Sequence, residues 1–268
     1  MSNSLNTDET LDLMGRLCEA ARSAIAPYFR NDPETTAKSG TVYDPVTVAD
    51  RAAEQAMRDV LAAERPQDAI LGEEFGETKG SSGWTWYLDP IDGTRAFVAG
   101  LPSWTTLIGL VDSNGQPVFG CVDAPAMGER YLGWPGGASL ETAAGRSDVS
   151  VSACNDLREA IVSTTDPFIL TASEQGAWTH IRHTARISRY GLDAYAYARL
   201  AGGTIDLVAE SGLQPWDAAA LVPVVRGAGG LALDWHGRPA GAGGGQLVCA
   251  ASEGIMDQAL LALRRSAE

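Results

Sequence analysis

Trp84-Thr85-Trp86-Tyr87-Leu88-Asp89-Pro90-Ile91-Asp92-Gly93-Thr94-Arg95-Ala96-Phe97 decides how the rest of the chain is read. Its first half is a short apolar, aromatic run of strand character that ends abruptly in acids. Pro90 removes the donor that a helix through this stretch would need. Asp89 and Asp92 therefore sit in a turn that can aim both carboxylates at one point. Hard divalent cations favour this arrangement, with several oxygen ligands and room left for water. An Asx-type turn with no further role is the structural alternative. Gly93-Thr94-Arg95-Ala96-Phe97 then reads as a helix N-terminus, where unpaired N–H groups and the helix dipole can hold a phosphate. Carboxylates for a metal, followed directly by amides for a phosphate, describe a metal-assisted phosphatase.

Outward from this segment, other acids fall at the ends of predicted elements. Ala69-Ile70-Leu71-Gly72 runs into Glu73 and Glu74, and Pro215-Trp216-Asp217 opens a helix after the strand-like run Thr204–Glu210. Thr47-x-x-Asp50 opens a periodic stretch (Val48, Ala52, Ala56, Met57, Val60, Leu61) and has the form of a capped helix start that ends before Pro66. Taken singly, Asp217 could be an N-cap, Asp50 a capping-box residue, and Glu73 and Glu74 solvated loop acids. Their conjunction at separate element ends argues for one site.

The remaining pattern places the site in a fold. Leu11, Met14, Leu17, Cys18, Ala21, Ile25 and Tyr28 describe an amphipathic first helix, followed by a turn-rich segment over Lys38–Pro45. The runs TTLIGLV and PVFGCVDAP flank Asn114-Gly115, a strong hairpin signal, and GERYLGW adds a strand. Residues 1–145 thus read as an α+β half with two helices on an antiparallel sheet that carries most of the acids. Residues 146–268 alternate strands (AIVSTT, ARISRY, TIDLVAE, GLALDW, QLVCAA) with helices near 173–183, 193–201, 217–228 and 254–265, an α/β pattern. The Gly/Ser-containing stretch 136–150 is the expected boundary, and AGAGGGQ at 240–246 an expected loop.

The chain has 268 residues and a formal net charge of −14. Such an acidic balance argues against nucleic acid, whose binding rests on Lys and Arg. No apolar run approaches the length of a membrane span. The N-terminus shows neither the basic nor the apolar region of a secretory signal, so a cytoplasmic protein is expected. Cys18, Cys121, Cys154 and Cys249 are scattered without C-x-x-C spacing and read as reduced thiols. His180 and His183 lack companions for a metal set and read as part of a helix surface.

The motifs D-P-V-T-x-A-D (Asp44–Asp50), G-E-E, D-P-I-D-G-T-x-x-F, W-D-A-A-A and G-A-G-G resemble the inositol monophosphatase superfamily. They span about Asp44 to Gly230. The resemblance implies a layered α-β-α-β-α sandwich, two or three Mg²⁺ ions (with Mn²⁺ as a substitute) and a homodimer acting on a small phosphate monoester. It further implies Glu73, Asp89, the Ile91 carbonyl, Asp92 and Asp217 as metal ligands, and Asp92, Gly93 and Thr94 as phosphate-binding residues. Thr94, hydrogen-bonded to Asp50, would help Glu73 activate the attacking water, with direct in-line hydrolysis and no phosphoenzyme. Glu74 would have a supporting role.

Arg189-Tyr190-Gly191-Leu192-Asp193-Ala194-Tyr195-Ala196-Tyr197 and Asp206-Leu207-Val208-Ala209-Glu210-Ser211-Gly212-Leu213 resemble the histidinol-phosphatase branch of that superfamily. Ala194 stands where that branch often has Cys. The implied substrate is histidinol phosphate, a step in histidine biosynthesis. Asp193 and Glu210 would complement its ammonium and imidazole groups through charge-assisted hydrogen bonds. Helix capping for Asp193 and an exposed strand-end position for Glu210 are the alternatives. Arg189 would either position Glu210 or support a subunit contact. Trp104 and Trp216 could wall the pocket or simply pack. An inositol phosphate or a broader set of sugar phosphates is the competing substrate class.

Overall fold

The computed structural model describes residues 5–30 and 48–267. The expected turn-rich segment Lys38–Pro45, and Thr47 of the capped helix start, lie outside the described residues. Helix α1 (Thr7–Ile25) is capped by the Asn6 side chain and buries Leu11, Met14, Leu17, Cys18, Ala21 and Ile25. Helix α2 (Val48–Glu64) buries Ala49, Ala53, Met57 and Leu61, and on the same face two acids, Asp50 and Glu54. The two helices pack together over one face of an eight-stranded sheet.

That sheet runs β2-β1-β3-β4-β5-β6-β7-β8. Its strands are β1 (Ala69–Gly72), β2 (Gly76–Thr78), β3 (Thr85–Asp92), β4 (Thr105–Val111), β5 (Pro117–Ala124), β6 (Glu129–Trp134), β7 (Gly137–Thr142) and β8 (Gly145–Asp148). The short α3 (Thr94–Val98) joins β3 to β4. The sheet is mixed rather than antiparallel throughout, because β1 pairs with β3 in parallel. The stretch 136–150 is not a linker: it forms the hairpin of β7 and β8, turned through Gly145 at φ +113°. A division at 145 would therefore cut a paired hairpin.

The second sheet runs β10-β9-β11-β13-β12. It is built from β9 (Ile161–Ser163), β10 (Ile187–Arg189), β11 (Leu207–Leu213), β12 (Leu231–Leu233) and β13 (Gly245–Ala250). Helices α5 (Tyr195–Ala201) and α6 (Pro215–Gly227) lie between the two sheets, and α4 (Ala172–Thr184) and α7 (Glu253–Leu263) cover the outer face. The order of layers is α-β-α-β-α, as expected. Every residue of β4 is buried, since helices cover both of its faces. One core cluster joins Leu107, Val122 and Tyr131 of the first sheet to Leu221 and Val224 of α6 and Val208 and Cys249 of the second.

How α6 reaches the first sheet is set by three glycines. Gly109, Gly120 and Gly133 stand opposite one another across β4, β5 and β6. A Cβ on Gly109 would overlap Ala219, one on Gly120 the Ala220 carbonyl, and one on Gly133 the backbone at Pro223 and Val224. The row is a groove with no side chains, and the helix backbone lies directly in it. Gly120→Val should lift α6 off the sheet, cost about 1–3 kcal/mol or more in urea unfolding, and weaken divalent-cation binding, because Asp217 rides on the first turn of that helix. Unchanged unfolding and unchanged cation binding would contradict this account.

Candidate active site

Parallel pairing of β1 with β3 puts their C-terminal ends at the same sheet edge, with Gly72 opposite Leu88 and the Glu73 N–H donating to the Leu88 carbonyl at 3.1 Å. Glu73 and Asp89 therefore emerge side by side. In a regular strand, residues three apart point to opposite faces. The β3–β4 register shifts between Asp89 and Asp92, and this bulge turns both carboxylates toward one centre. Ile91 N–H donates to Asp89 Oδ1 at 3.1 Å, and the Thr106 hydroxyl donates to the Pro90 carbonyl at 2.7 Å, which fixes the bulge. Asp217 arrives from the first turn of α6, where it also caps the helix by accepting from Gln214 N–H at 2.7 Å. Asp217 is therefore not the N-cap, which is Gln214, but the third helical residue of a capping box, a role it fills alongside the site. Asp89, Asp92 and Asp217 offer oxygens all within 4.8 Å of one another.

The electrostatics are those of acids crowded without counter-charge. Burial raises Asp89 well above the usual carboxylate range, and the charges acting on it most strongly are Glu73, Asp92, Asp217 and Asp50. Burial likewise raises Asp92, with Asp193 and Asp217 adding to the effect. Burial lifts Glu73 to about 7 against a hydrogen bond with Asp89, and Asp50, Asp217 and Glu74 add repulsion. Asp217 rises to about 6, again mainly through burial. The donors are oxygens, the cluster is acidic, and no basic group stands among its main perturbers, so the set fits a hard divalent cation. Glu73, Asp89, Asp92 and Asp217, with the Ile91 carbonyl at the bulge, are the groups that could hold it.

Gly93 N-caps α3 in the left-handed conformation, φ +77° and ψ 42°, with no side chain capping the turn. The Thr94 hydroxyl donates to the Ile91 carbonyl at 3.3 Å, so the expected bond to Asp50 would need that hydroxyl to turn. Asp50 itself is buried on α2, close enough to raise Glu73 and Asp89. The Glu74 carboxylate lies 3.8 Å from Arg51.

Asp193 does not cap α5: Ala194 is the N-cap and makes no side-chain cap bond. Asp193 takes an unusual left-handed φ of +47°, and its Oδ2 lies about 3.1 Å from where a Gly93 Cβ would stand. Glu210 is not an exposed strand end either. Its carboxylate accepts from the Thr165 hydroxyl at 2.6 Å and the Tyr197 hydroxyl at 3.3 Å, and burial raises it to about 7. Asp92, Asp193, Tyr197, Glu210 and Asp217 line one cavity of about 140 Å³. Asp193 and Thr165 also line a larger neighbouring cavity of about 540 Å³, walled by Arg95, Phe168, Arg182 and Tyr190.

Arg189 does not position Glu210. It is exposed at the end of β10, with β9 between it and the strand of Glu210, and Thr165 and Tyr197 hold that acid instead. Trp104 is buried against Phe29 and Phe97, a packing residue. The sequence reading missed Thr165, Tyr197 and Glu54. Tyr197 closes the Arg189–Tyr197 motif, though without an assigned role, and Glu54 left a signal as an acid one turn after Asp50 on the apolar face of α2; Thr165 left none. Cys18 and Cys121, far apart in the chain, meet with their sulfurs 3.5 Å apart as buried free thiols. His180 and His183 lie on exposed α4 positions.

The raised acids predict a pH dependence. The folded chain binds the protons of Asp217 and Glu73 more tightly than the unfolded chain does. Their contribution to stability is full below the unfolded values near about 4 and is lost as pH rises through about 6 and about 7. Chelator-treated protein should therefore lose thermal stability between about pH 5 and about pH 8. Mg²⁺ should restore more of it at the upper end, as read by scanning calorimetry; equal stabilisation at both ends would contradict the crowding described above.

Residues 7–268 match the inositol monophosphatase family. The chloroplastic bifunctional phosphatase IMPL2 of Arabidopsis thaliana is 40% identical over 83% of this chain, which spans only 63% of that relative's length. A histidinol-phosphatase from Chlorobaculum parvum is 33% identical over 85% of this chain and 86% of its own. The structure of an inositol monophosphatase from Zymomonas mobilis superposes with a TM-score of 0.85 at 37% identity, over 97% of this chain and 99% of that one. Among the described residues, no helix is long and apolar enough to cross a membrane. Enzymes of this family depend on Mg²⁺ and act on small phosphate monoesters. The chain belongs to the inositol monophosphatase family, and it is a metal-dependent phosphomonoesterase.

Proposed function

We propose that the chain hydrolyses histidinol phosphate to histidinol and phosphate. The observation that carries this reading is the cavity in which Asp193 and Glu210 stand beside Asp92 and Asp217. One end of that cavity suits a phosphate with its metal, and the other presents two carboxylates to the ester's alcohol part. A protonated amine and an imidazole would gain charge-assisted hydrogen bonds there, whereas a neutral polyol would gain far less. Each Glu210 oxygen accepts one hydrogen bond from the protein and keeps a lone pair for a ligand donor. The histidinol-phosphatase activity named for the Chlorobaculum relative supports the same substrate. The Zymomonas structure supports inositol phosphate as the competing one.

In this reading Asp89, Asp92, Asp217, Glu73 and the Ile91 carbonyl hold Mg²⁺. When bound, the metal would neutralise phosphoryl charge and stabilise the departing alkoxide. The amides at Gly93 and Thr94 receive the phosphate. Glu73 takes a proton from the attacking water, oriented by Thr94 with Asp50 behind it. The water oxygen forms its bond to phosphorus as the ester P–O bond breaks in line; the alkoxide takes a proton from solvent water, and Glu73 returns its own proton to solvent. In this reading Asp89 and Asp92 are committed to the metal and no Cys or His stands within the Asp89–Thr94 motif, so water attacks directly and no phosphoenzyme forms. Arg189, exposed at the edge strand β10, is free to serve a contact between two subunits.

Phosphate release from histidinol phosphate should exceed that from inositol 1-phosphate and vanish with excess chelator. Asp193→Ala should lower kcat/KM for histidinol phosphate by about 10- to 100-fold, the worth of one hydrogen bond to a charged group, and change inositol 1-phosphate turnover little. Glu73→Gln should remove the metal-dependent activity toward both. Faster turnover of inositol 1-phosphate, or an unchanged preference in the Asp193 variant, would overturn the substrate assignment.

A further inference from the structure

Glu73 occupies the first position of a three-residue hairpin loop. Gly72 pairs with Gly76 across β1 and β2, leaving Glu73, Glu74 and Phe75 as the loop, and Gly76 supplies the positive φ of +68° that closes it. A loop of this kind would ordinarily leave its inner amides to water. Here both inner amides point at one carboxylate of α2. Glu54 Oε2 accepts from Glu74 N–H at 2.6 Å, and Oε1 accepts from Phe75 N–H at 3.3 Å.

That carboxylate is fully buried, with 0% exposure, and one cation balances it. Arg58, one turn further along α2, donates Nε–H to Glu54 Oε1 at 2.7 Å. The same guanidinium donates to the Thr78 hydroxyl at 2.9 Å and the Gly76 carbonyl at 2.5 Å, so it grips the far side of the hairpin. Arg51 stacks over the Phe75 ring at 4.8 Å. Gly72 lies so close that a Cβ there would overlap the Glu54 carboxylate. A buried carboxylate with its partner and both lone-pair sets engaged is costly to disturb, which makes it a rigid post.

We infer that Glu54 is a positioning residue for Glu73. It fixes the backbone immediately after Glu73, and so holds that side chain where it hydrogen-bonds with Asp89, although the charge of Asp50 repels it. Asp50 and Glu54, one turn apart, divide the work of one helix face: Asp50 faces the acids, and Glu54 faces the loop backbone. This inference rests on the reading of Glu73 as metal ligand and base.

The test is steady-state kinetics with Mg²⁺ titration, using whichever of histidinol phosphate and inositol 1-phosphate the unaltered enzyme turns over faster. Glu54→Gln keeps the size of the side chain but faces an amide N–H with an NH₂ group. It should lower kcat by about 10- to 100-fold and raise the half-saturating Mg²⁺ several-fold, with KM within about twofold. Gly72→Ala, which pushes the carboxylate aside while keeping the charges of both Glu54 and Arg58, should give the same split and covers the case in which Glu54→Gln does not fold. Lowered thermal midpoints with wild-type kcat and wild-type Mg²⁺ half-saturation, in assays below those midpoints, would overturn the inference. Glu73→Gln runs alongside. Full activity there would remove the Glu73 reading itself, whereas an inactive Glu73 variant beside normal Glu54 and Gly72 variants would overturn the positioning role alone.

Discussion

Asp89, Asp92 and Asp217 converge within 4.8 Å, and the mutual repulsion of carboxylates at that distance is the constraint that the scaffold must withstand. In water such groups would move apart or take up protons. Here the three ride on two stiff pieces of backbone, the bulged end of β3 and the first turn of α6, and Glu73 joins them from a third, the loop after β1. The repulsion is expressed as raised proton affinity rather than as displacement. A site under that strain is ready for a small, doubly charged cation, which relieves it by replacing protons.

Each support answers to a different packing problem. The β3 end is held by its bulge and by Thr106. The α6 turn is held because a row of glycines lets a helix backbone lie flat on a sheet, and Pro223 within that helix shares the contact. The β1 loop is held from α2. The chain therefore uses absent side chains in one place and a buried ion pair in another to the same end, a fixed separation between acids.

Local chemistry explains how much of this could be read from the chain. Periodicity located α1, α2, α4, α6 and α7 to within a few residues, and Asn114-Gly115 located the β4–β5 hairpin, because each signal lies within one element. The strand-end acids pointed to the acidic cluster because two of its three members, Asp89 and Asp92, lie in one short motif. What failed depends on partners distant in sequence. The β7–β8 hairpin, rich in Gly and Ser, looked like a linker because its strand character comes from pairing with β6 rather than from apolar alternation. Gly109, Gly120 and Gly133 align only once the register of three strands is known. Of the two roles open to Arg189, positioning Glu210 fails because the strand order, which no local signal reveals, places β9 between them.

The acidic cluster and the proposed recognition residues are not separate modules. Asp92 Oδ2 accepts from the Ala194 N–H at 2.8 Å, and the Thr105 hydroxyl shares that oxygen at 3.3 Å. The backbone N–H directly after Asp193 is therefore held by a carboxylate of the metal cluster. Asp193 keeps its left-handed backbone because this bond, together with the Ala196 N–H donating to its own carbonyl at 3.1 Å, determines the chain on that side. A cation drawn to Asp92 and a ligand drawn to Asp193 thus pull on one short stretch of backbone. In the proposed function the two ends of the substrate would be read by residues a single hydrogen bond apart, so discrimination between alcohol groups would be felt at the acidic cluster without any large movement.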